Sequence, residues 1–367
     1  MDCIANYSGI MIKLYIHIGT HKTGTTTIQK KLRENNEYLE KENITFFYKP
    51  EFLLKLSGSK LLEKKYIEKG YEGLVQWIKE GKRKGINTFV VSHEDLSGNW
   101  RSGYKNSKTI AKSLQLMIKD LHADVKIIVY LRRQDTFMES LYAQNVQSGN
   151  PNTFRDFKNS YDSTAFNWYE LLNNYAEFFG KDRLIVRRYS KKELPDNDSL
   201  IQNFGKIIGS KFLENLFDSE PLNQSYNHDA LEIARLTAPY IDRYENDYLR
   251  SIFQRINSKQ PFDNYSFFDP SERIEFLSNY KDSNKKVAIE YFNDQTGKLF
   301  DDITHEEDNF QPYPGLKLEP AIITLTKALI VLSQENSQIK MQLSKKNDSG
   351  FRKKIKRKIR NLLRRYI

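Results

Sequence analysis

The chain has 367 residues, 29% of them charged, with a formal net charge of +11 and a mean hydropathy of −0.68. No stretch approaches the roughly 18–20 apolar residues of a membrane helix, and the opening MDCIANYSGIM has neither the basic nor the apolar region of a secretory signal. The single cysteine, Cys3, excludes an internal disulfide framework and a cysteine-based metal site. We therefore expect a cytoplasmic protein, with Met11 as an alternative start ahead of the first strand.

The positive charge is concentrated near the end of the sequence. Residues 351–367, FRKKIKRKIRNLLRRYI, contain nine Lys and Arg residues and no Asp or Glu, so the other 350 residues carry a net charge of only +2. The body of the chain therefore lacks the basic surface of a general nucleic-acid-binding protein, and we expect no specific nucleic-acid partner.

The first apolar run, 14–18, leads into a loop of small, hydroxylated and basic residues, and a helix is predicted over 25–41. A strand, a glycine-bearing loop and a helix start together direct backbone N–H groups and the positive end of the helix at an anion. The residues predicted to surround it are His21, Lys22, Thr23, Gly24, Thr25, Thr26 and Thr27. The stretch therefore predicts a site for phosphate or a group of similar shape.

The loop differs from the nucleoside-triphosphate pattern G-x-x-x-x-G-K-[ST]. Gly19 and Gly24 have the right separation, but Thr25 stands where the lysine belongs and Lys22 comes two residues before the second glycine. Because the charge is displaced, a kinase or NTPase of the usual type is disfavoured. A kinase acting on a small molecule or sugar stays as an alternative.

Further predicted strands at 44–48, 87–92, 125–131 and 183–188 alternate with predicted helices at 60–83, 107–121, 166–180, 197–209, 228–248 and 270–296. Near-continuous apolar strands of this kind indicate an α/β fold with a central parallel sheet covered by helices on both faces. Such sheets bind ligands beyond the carboxyl ends of their strands. The loop 19–27 and the segments 92–95 and 132–140 all fall at such ends.

Two segments together resemble the bacterial carbohydrate-type sulfotransferase family. They are the order KTGTTT in the first loop and VYLRRQDTFMESLYAQ after the strand 125–131. Arg132 and Ser140, eight residues apart, match the arginine and serine with which the family binds the 3′-phosphate of 3′-phosphoadenosine 5′-phosphosulfate; Arg133 is the alternative to Arg132. The resemblance implies a P-loop NTPase-like fold with about five strands, no metal, and transfer of a sulfuryl group to a hydroxyl of a glycan or glycolipid.

Roles for individual residues follow from this resemblance. Negative charge builds on the leaving phosphate oxygen, where Lys22 is placed to stabilise it and His21 to assist. The acceptor hydroxyl needs a base, and His93 and Glu94 follow the strand 87–92. Neighbouring side chains at a strand end diverge, so we expect one of them to face the cleft and favour Glu94.

The acceptor site has weaker signals. Trp100, Trp168 and the tyrosines are candidates for stacking on sugar rings, although aromatic side chains more often belong to the core. Asn223 and Ser225 fall in a predicted loop and are candidates for contact with donor or acceptor.

The predicted catalytic domain, 1–310, ends at a linker, 311–317, that contains QPYPG. Over 318–346 the apolar positions are spaced alternately by four and three residues, which is the a/d pattern of a coiled coil. These positions are Leu318, Ile322, Leu325, Leu329, Leu332, Asn336, Ile339 and Leu343. Asn336 at an a position favours two strands, so we expect a homodimer; a single amphipathic helix folded back on the domain is the alternative.

The tail, 351–367, follows as a predicted basic amphipathic helix. Such a helix suits an anionic membrane surface, and its alternatives are a solvated tail or nonspecific polyanion binding. Peripheral attachment to the inner membrane face is therefore expected. A third interpretation of the whole chain is a non-catalytic, membrane-associated coiled-coil scaffold.

Overall fold

The computed structural model is organised around one parallel β-sheet and describes residues 11–47, 63–162, 164–189, 194, 198–216, 226–256, 265–301 and 311–345. The strands are β1 (Ile12–His17), β2 (Ile44–Phe47), β3 (Thr88–Ser92), β4 (Ala123–Leu131) and β5 (Leu184–Arg188). They lie in the order β2-β3-β1-β4-β5, and every neighbouring pair is parallel. The α/β fold with a central five-stranded parallel sheet, flanked by helices as in P-loop proteins, is confirmed.

The helices are α1 (Thr25–Glu34), α2 (Asn36–Lys41), α3 (Lys64–Arg83), α4 (Ser107–Ile118), α5 (Gln134–Gln147), α6 (Phe154–Asn159), α7 (Trp168–Phe179), α8 (Leu200–Ile208), α9 (Lys211–Glu214), α10 (His228–Thr237), α11 (Arg243–Ile256), α12 (Pro270–Ser278), α13 (Lys281–Phe292) and α14 (Leu318–Lys345). Two short strands, β6 (Tyr265–Ser266) and β7 (Gln311–Pro312), form a second sheet. The single helix predicted over 228–248 is interrupted by a 3-10 turn at Ala238–Tyr240. Pro239 explains the interruption, because its ring removes a backbone donor.

Alternate residues of the strands face opposite sides of the sheet. Ile128 and Tyr130 of β4 share a buried cluster with Ile28 of α1 and Phe204 of α8. Phe89 of β3 points to the other side, where α3 packs. The sheet is therefore covered on both faces, as its apolar strands predict.

The strand order creates a crevice between β1 and β4. From β1 the next strand along the chain lies toward one edge of the sheet, and from β4 it lies toward the other. Open α/β sheets bind ligands at such a point, beyond the carboxyl ends of the two strands. The loop after β1 and the segment after β4, which carry the two predicted anion motifs, both begin there.

The described residues fall into two compact units. Unit 1 holds the described residues up to Gln144, from Thr153 to 216 and from Ser266 to Pro312, and unit 2 holds Asn145–Asn152, 226–256, Tyr265 and those from Tyr313 onward. The predicted linker 311–317 thus contains one boundary between units. Residues 226–256 cluster with α14 although they precede the linker, since their apolar side chains pack within unit 2.

Unit 2 is built from helices α10, α11 and α14, which pack on one another. Beside them, the ring of His228 stacks on Tyr313, with 5.3 Å between centroids, and the Tyr313 hydroxyl donates to Asp229 Oδ1 at 2.9 Å. The helix predicted over 318–346 is present as α14. The predicted tail 351–367 and the candidate contact residues Asn223 and Ser225 lie outside the described residues.

None of the helices in the described part of the chain is long and apolar enough to cross a membrane.

Candidate active site

The loop between β1 and α1 is held in place by two of its own threonines. Thr20 Oγ1 donates to the carbonyl of Tyr130 at 2.6 Å, and Thr23 Oγ1 donates to the carbonyl of Thr20 at 2.5 Å. Both side chains are completely buried. Thr23 was predicted to lie beside the anion, but its hydroxyl is used in a hydrogen bond within the loop. This leaves the backbone N–H as the group with which Thr23 would bind a ligand.

Two glycines give the loop its close turn. Gly24 is the N-cap of α1 with φ at +78°, and a Cβ there would lie 2.3 Å from Leu200 Cδ2. Gly19 has φ at +42°, and a Cβ there would lie 2.5 Å from Thr25 Oγ1. Both positions combine the left-handed conformation with a close approach, so a side chain at either would disturb the loop.

The N-terminus of α1 has the properties of an anion site. Gly24 gives the helix no side-chain cap, so the first N–H groups keep their capacity for an external acceptor. Thr25 Oγ1 is buried, with no hydrogen-bond partner among the residues described. Thr27 is half-buried and Thr26 is exposed. Buried hydroxyls are normally paired, so the Thr25 hydroxyl fits a ligand oxygen.

Lys22 lies in the loop in a strained backbone conformation, with φ at +61°. Such a conformation is uncommon for a residue with a side chain and clusters at functional sites. The Lys22 carbonyl accepts a hydrogen bond from Arg132 Nη1 at 3.1 Å. Lys22 and Arg132, which lie 110 residues apart in sequence, therefore meet beside β1 and β4.

Arg132 is held by neighbours on three sides. Its Nε donates to Thr136 Oγ1 at 3.1 Å, and its guanidinium lies 5.8 Å from the ring centre of Tyr189. The indole N–H of Trp168 donates to the Arg132 carbonyl at 2.9 Å. Burial lowers the pKa of Arg132, and an arginine nevertheless stays protonated in proteins. The residue is therefore a fixed, half-buried cation.

Arg133 and Ser140 are placed differently. Arg133 makes a two-pronged ion pair with the buried carboxylate of Asp135, at 2.8 and 3.0 Å. Ser140 is buried on α5, 6% exposed. Its contact with a 3′-phosphate stays a prediction.

His21 is almost completely buried next to Tyr104. Its Nδ1 and its backbone N–H both lie 3.0 Å from the Tyr104 hydroxyl. Burial, together with the charges of His93, Lys22 and Arg101, lowers the pKa of His21 to about 3. The imidazole is therefore neutral at physiological pH and supplies no positive charge to a leaving group. Its Nε2 lies 3.8 Å from Asp95 Oδ1, which is too long for a direct hydrogen bond.

His93 and Glu94 follow β3, as predicted. His93 Nδ1 accepts the backbone N–H of Asp95 at 3.2 Å. A neutral imidazole that accepts at Nδ1 carries its proton on Nε2, so in this tautomer the outer nitrogen of His93 is a donor. This arrangement favours Glu94 over His93 as the proton acceptor.

Glu94 lies close to the side chain of Gln29 on α1. Gln29 Nε2 donates to the Ser92 carbonyl at 3.0 Å and lies 3.5 Å from Glu94 Oε2. Ser97 Oγ lies 3.1 Å from the Gly19 carbonyl and 2.7 Å from the Glu94 carbonyl. These contacts tie the segment after β3 to the anion loop, so the candidate base and the candidate anion site lie side by side.

The structure corrects the interpretation of two tryptophans. Trp100 is 5% exposed and Trp168 is not exposed at all, so neither ring is open to stack on a sugar. Trp168 instead holds the turn that carries Arg132. Tyr104 is a further residue of the candidate site that the sequence did not single out. Gln29 is the glutamine that follows KTGTTT in the segment that carries the resemblance.

In the described ranges no group of three His, Cys, Asp or Glu side chains lies close enough together to hold a metal ion.

No family model matches the chain. A protein of Archaeoglobus fulgidus named "Uncharacterized protein" is 32% identical over 173 residues, which are 46% of this chain and 46% of that protein. The chain thus spans about half the length of this curated relative. The crystal structure of a sulfotransferase from Alicyclobacillus acidocaldarius is 16% identical and covers 64% of this chain and 94% of that one, with a TM-score of 0.36. A likeness at this level says nothing about function.

Proposed function

We propose that the protein is a sulfotransferase that moves a sulfuryl group from 3′-phosphoadenosine 5′-phosphosulfate to a hydroxyl of a glycan or glycolipid. The observation that carries the proposal is the hydrogen bond of 3.1 Å from Arg132 Nη1 to the Lys22 carbonyl. It joins the two motifs on which the resemblance to sulfotransferases rests. A donor with one phosphate at each end of a ribose needs two cationic anchors in one crevice, and these residues provide them.

The loop has hydrogen-bond donors for the 5′-phosphosulfate. The buried Thr25 hydroxyl lacks a partner among the described residues. The N–H groups at the start of α1 add a positive end. We assign the 5′-phosphate to the Thr25 hydroxyl and to the N–H groups at the start of α1, with Thr26 and Thr27 at the outer side of this helix start. We assign the 3′-phosphate to Arg132 and Ser140.

Lys22 then acts on the leaving group. In the transfer, the bond from sulfur to the acceptor oxygen forms as the bond from sulfur to the phosphate oxygen breaks, and the electron pair stays on that phosphate oxygen. An ammonium group near this oxygen stabilises the charge that develops there. The neutral His21 contributes through its hydrogen bonds, which fix the loop to Tyr104.

Glu94 removes the proton of the acceptor hydroxyl. A carboxylate can accept a proton in its ordinary ionised state, whereas His93 presents an N–H at its outer nitrogen. Gln29 donates toward Glu94 Oε2 and so favours one orientation of the carboxylate. The reaction leaves a sulfated acceptor, 3′,5′-phosphoadenosine and a proton on Glu94.

Calorimetry with 3′,5′-phosphoadenosine and with ATP, each with and without Mg²⁺, tests the proposal. We expect 3′,5′-phosphoadenosine to bind in the absence of Mg²⁺ and more tightly than ATP, and the Arg132→Ala variant to lose much of that preference. Binding of ATP that depends on Mg²⁺, with no binding of 3′,5′-phosphoadenosine, would overturn the proposal in favour of the kinase. Binding of neither nucleotide would favour the non-catalytic scaffold.

A further inference from the structure

The helix α14 presents two faces of different character within unit 2. The helix packs on α10 and α11, and its buried residues include Thr324 and Ala328. Glu335 forms an ion pair with Arg255 of α11. These three residues of α14 lie outside the a and d positions.

Most of the heptad positions whose burial the structure describes lie on the exposed side of α14, and Leu332 is half-buried. Five of them are large aliphatic residues that are 47–79% exposed: Leu318, Ile322, Leu325, Leu329 and Ile339. Scattered exposed apolar residues are ordinary, but a continuous apolar stripe marks an interaction surface. Its strict spacing by four and three residues is the pattern that matches another helix with the same repeat.

The tail 351–367 is too short to cover this stripe as a helix. α14 has 28 residues, and at 1.5 Å per residue it is about 42 Å long. The tail 351–367 would span about 26 Å as a helix. Folded back from the end of α14, it would leave Leu318, Ile322 and Leu325 uncovered. The tail alone is therefore not the occupant of the whole stripe.

We propose that this occupant is a second copy of the chain, paired through α14 as a parallel two-stranded coiled coil. Ile322 and Leu329 then fill a positions, Leu318 and Leu325 fill d positions, and Asn336 takes an a position. In the parallel arrangement Asn336 faces Asn336 of the partner subunit, and the two amides pair. In the antiparallel arrangement the amide would face an aliphatic side chain and lose its partner.

Charge supports the same orientation. In a parallel coiled coil, a g position of one helix lies beside the e position of the next heptad of the other helix. Glu335 is at g and Lys340 is at e, so opposite charges meet twice across the dimer axis. Glu335 also forms an ion pair with Arg255 of its own unit. In the dimer its carboxylate would therefore be shared between Arg255 and Lys340 of the partner subunit.

The test is the mass of the full-length protein in solution, measured by sedimentation equilibrium. Leu329→Asp should raise the dimer dissociation constant by at least about tenfold, because it buries a charge in the seam. Ile330→Asp is the matched control: Ile330 is also exposed, at 52%, but it lies at a b position and should leave the dimer intact. A wild-type monomer, or equal loss of dimer in both variants, would overturn the proposal.

Two further variants address the orientation and the competing occupant. On a Cys3→Ser background, Asn336→Cys should cross-link to itself under oxidation in a parallel dimer; a failure to cross-link would exclude the parallel arrangement. Truncation after residue 350 should leave the dimer unchanged. A dimer that appears only after truncation would show that the tail occupies the stripe and would overturn the proposal.

Discussion

His17 Nδ1 lies 2.8 Å from Ser92 Oγ, joining the carboxyl ends of β1 and β3 directly beneath the anion loop. The His17 side chain is completely buried, and its Nε2 has no partner among the described residues. Burial lowers the pKa of His17 to about 3. The folded protein therefore favours the neutral form of the His17 ring over the protonated form.

This relationship predicts a loss of stability in mild acid. The pKa of His17 in the folded state is below the unfolded value of about 6.5, so unfolding takes up a proton as the pH falls below that value. His17 alone should lower the free energy of unfolding by about 2 kcal/mol between pH 7 and pH 5. Urea unfolding at the two pH values measures the loss. His17→Asn keeps a polar partner for Ser92 but does not titrate, so its free energy of unfolding should fall less between pH 7 and pH 5. An identical fall in this variant would mean that other groups govern the pH dependence.

Lys22→Ala should abolish sulfuryl transfer, whereas the affinity for 3′,5′-phosphoadenosine should fall much less. The ammonium group acts on charge that develops only in the transition state, so its loss appears chiefly in kcat. Single-turnover assays with a labelled donor measure the effect. Lys30→Ala on α1 is a control of equal charge change. Unchanged turnover in Lys22→Ala would remove the assignment.

Arg132→Ala should weaken binding of 3′,5′-phosphoadenosine by about 1.5–3 kcal/mol, the range for hydrogen bonds to charged groups. The affinity for a nucleotide without the 3′-phosphate should change less. Arg133→Ala is an informative comparison, because it leaves the buried Asp135 without one of its cations. We expect that variant to lose stability in thermal unfolding. An affinity of Arg132→Ala for 3′,5′-phosphoadenosine equal to that of the wild type would place the 3′-phosphate elsewhere.

Glu94→Gln should lower kcat by roughly 10²–10⁴-fold, the usual contribution of a positioned general base. The amide keeps the shape of the side chain but cannot take the acceptor proton. His93→Asn should have a much smaller effect, since Nδ1 of His93 holds the turn through the N–H of Asp95. Steady-state assays at saturating donor compare the two. The reverse order of effects would make His93 the base.

The sheet was accessible from the sequence because it depends on local signals, and the place of the candidate site was predicted from signals of the same kind. Apolar runs such as 125–131 indicate buried strands, and a glycine-bearing loop after the first of them predicts an anion site. The approach of Gln29 to Glu94 was not accessible, since it depends on how α1 lies across the end of β3. The burial of Trp100 and Trp168 was equally hidden, because an aromatic residue in a loop or at a helix start can face either way.

The C-terminal region shows a second reason why the sequence did not predict the whole structure. The heptad spacing predicted α14 correctly, but it drew attention to the apolar positions alone. The face with which α14 packs in its own unit includes small residues such as Thr324 and Ala328, and small residues give no periodic signal. The grouping of residues 226–256 with α14 in one unit was therefore missed.

In the proposed donor site, the hydrogen bond from Arg132 to the Lys22 carbonyl would link the two ends thermodynamically. A 3′-phosphate bound by the Arg132 guanidinium would act on the group that fixes the backbone of the proposed catalytic lysine, so occupancy at one end would alter the energy of the other, and the effect would be reciprocal. Remote binding energy can in this way be used at the reacting centre. A donor analogue lacking the 3′-phosphate should consequently react more slowly even when it saturates the enzyme.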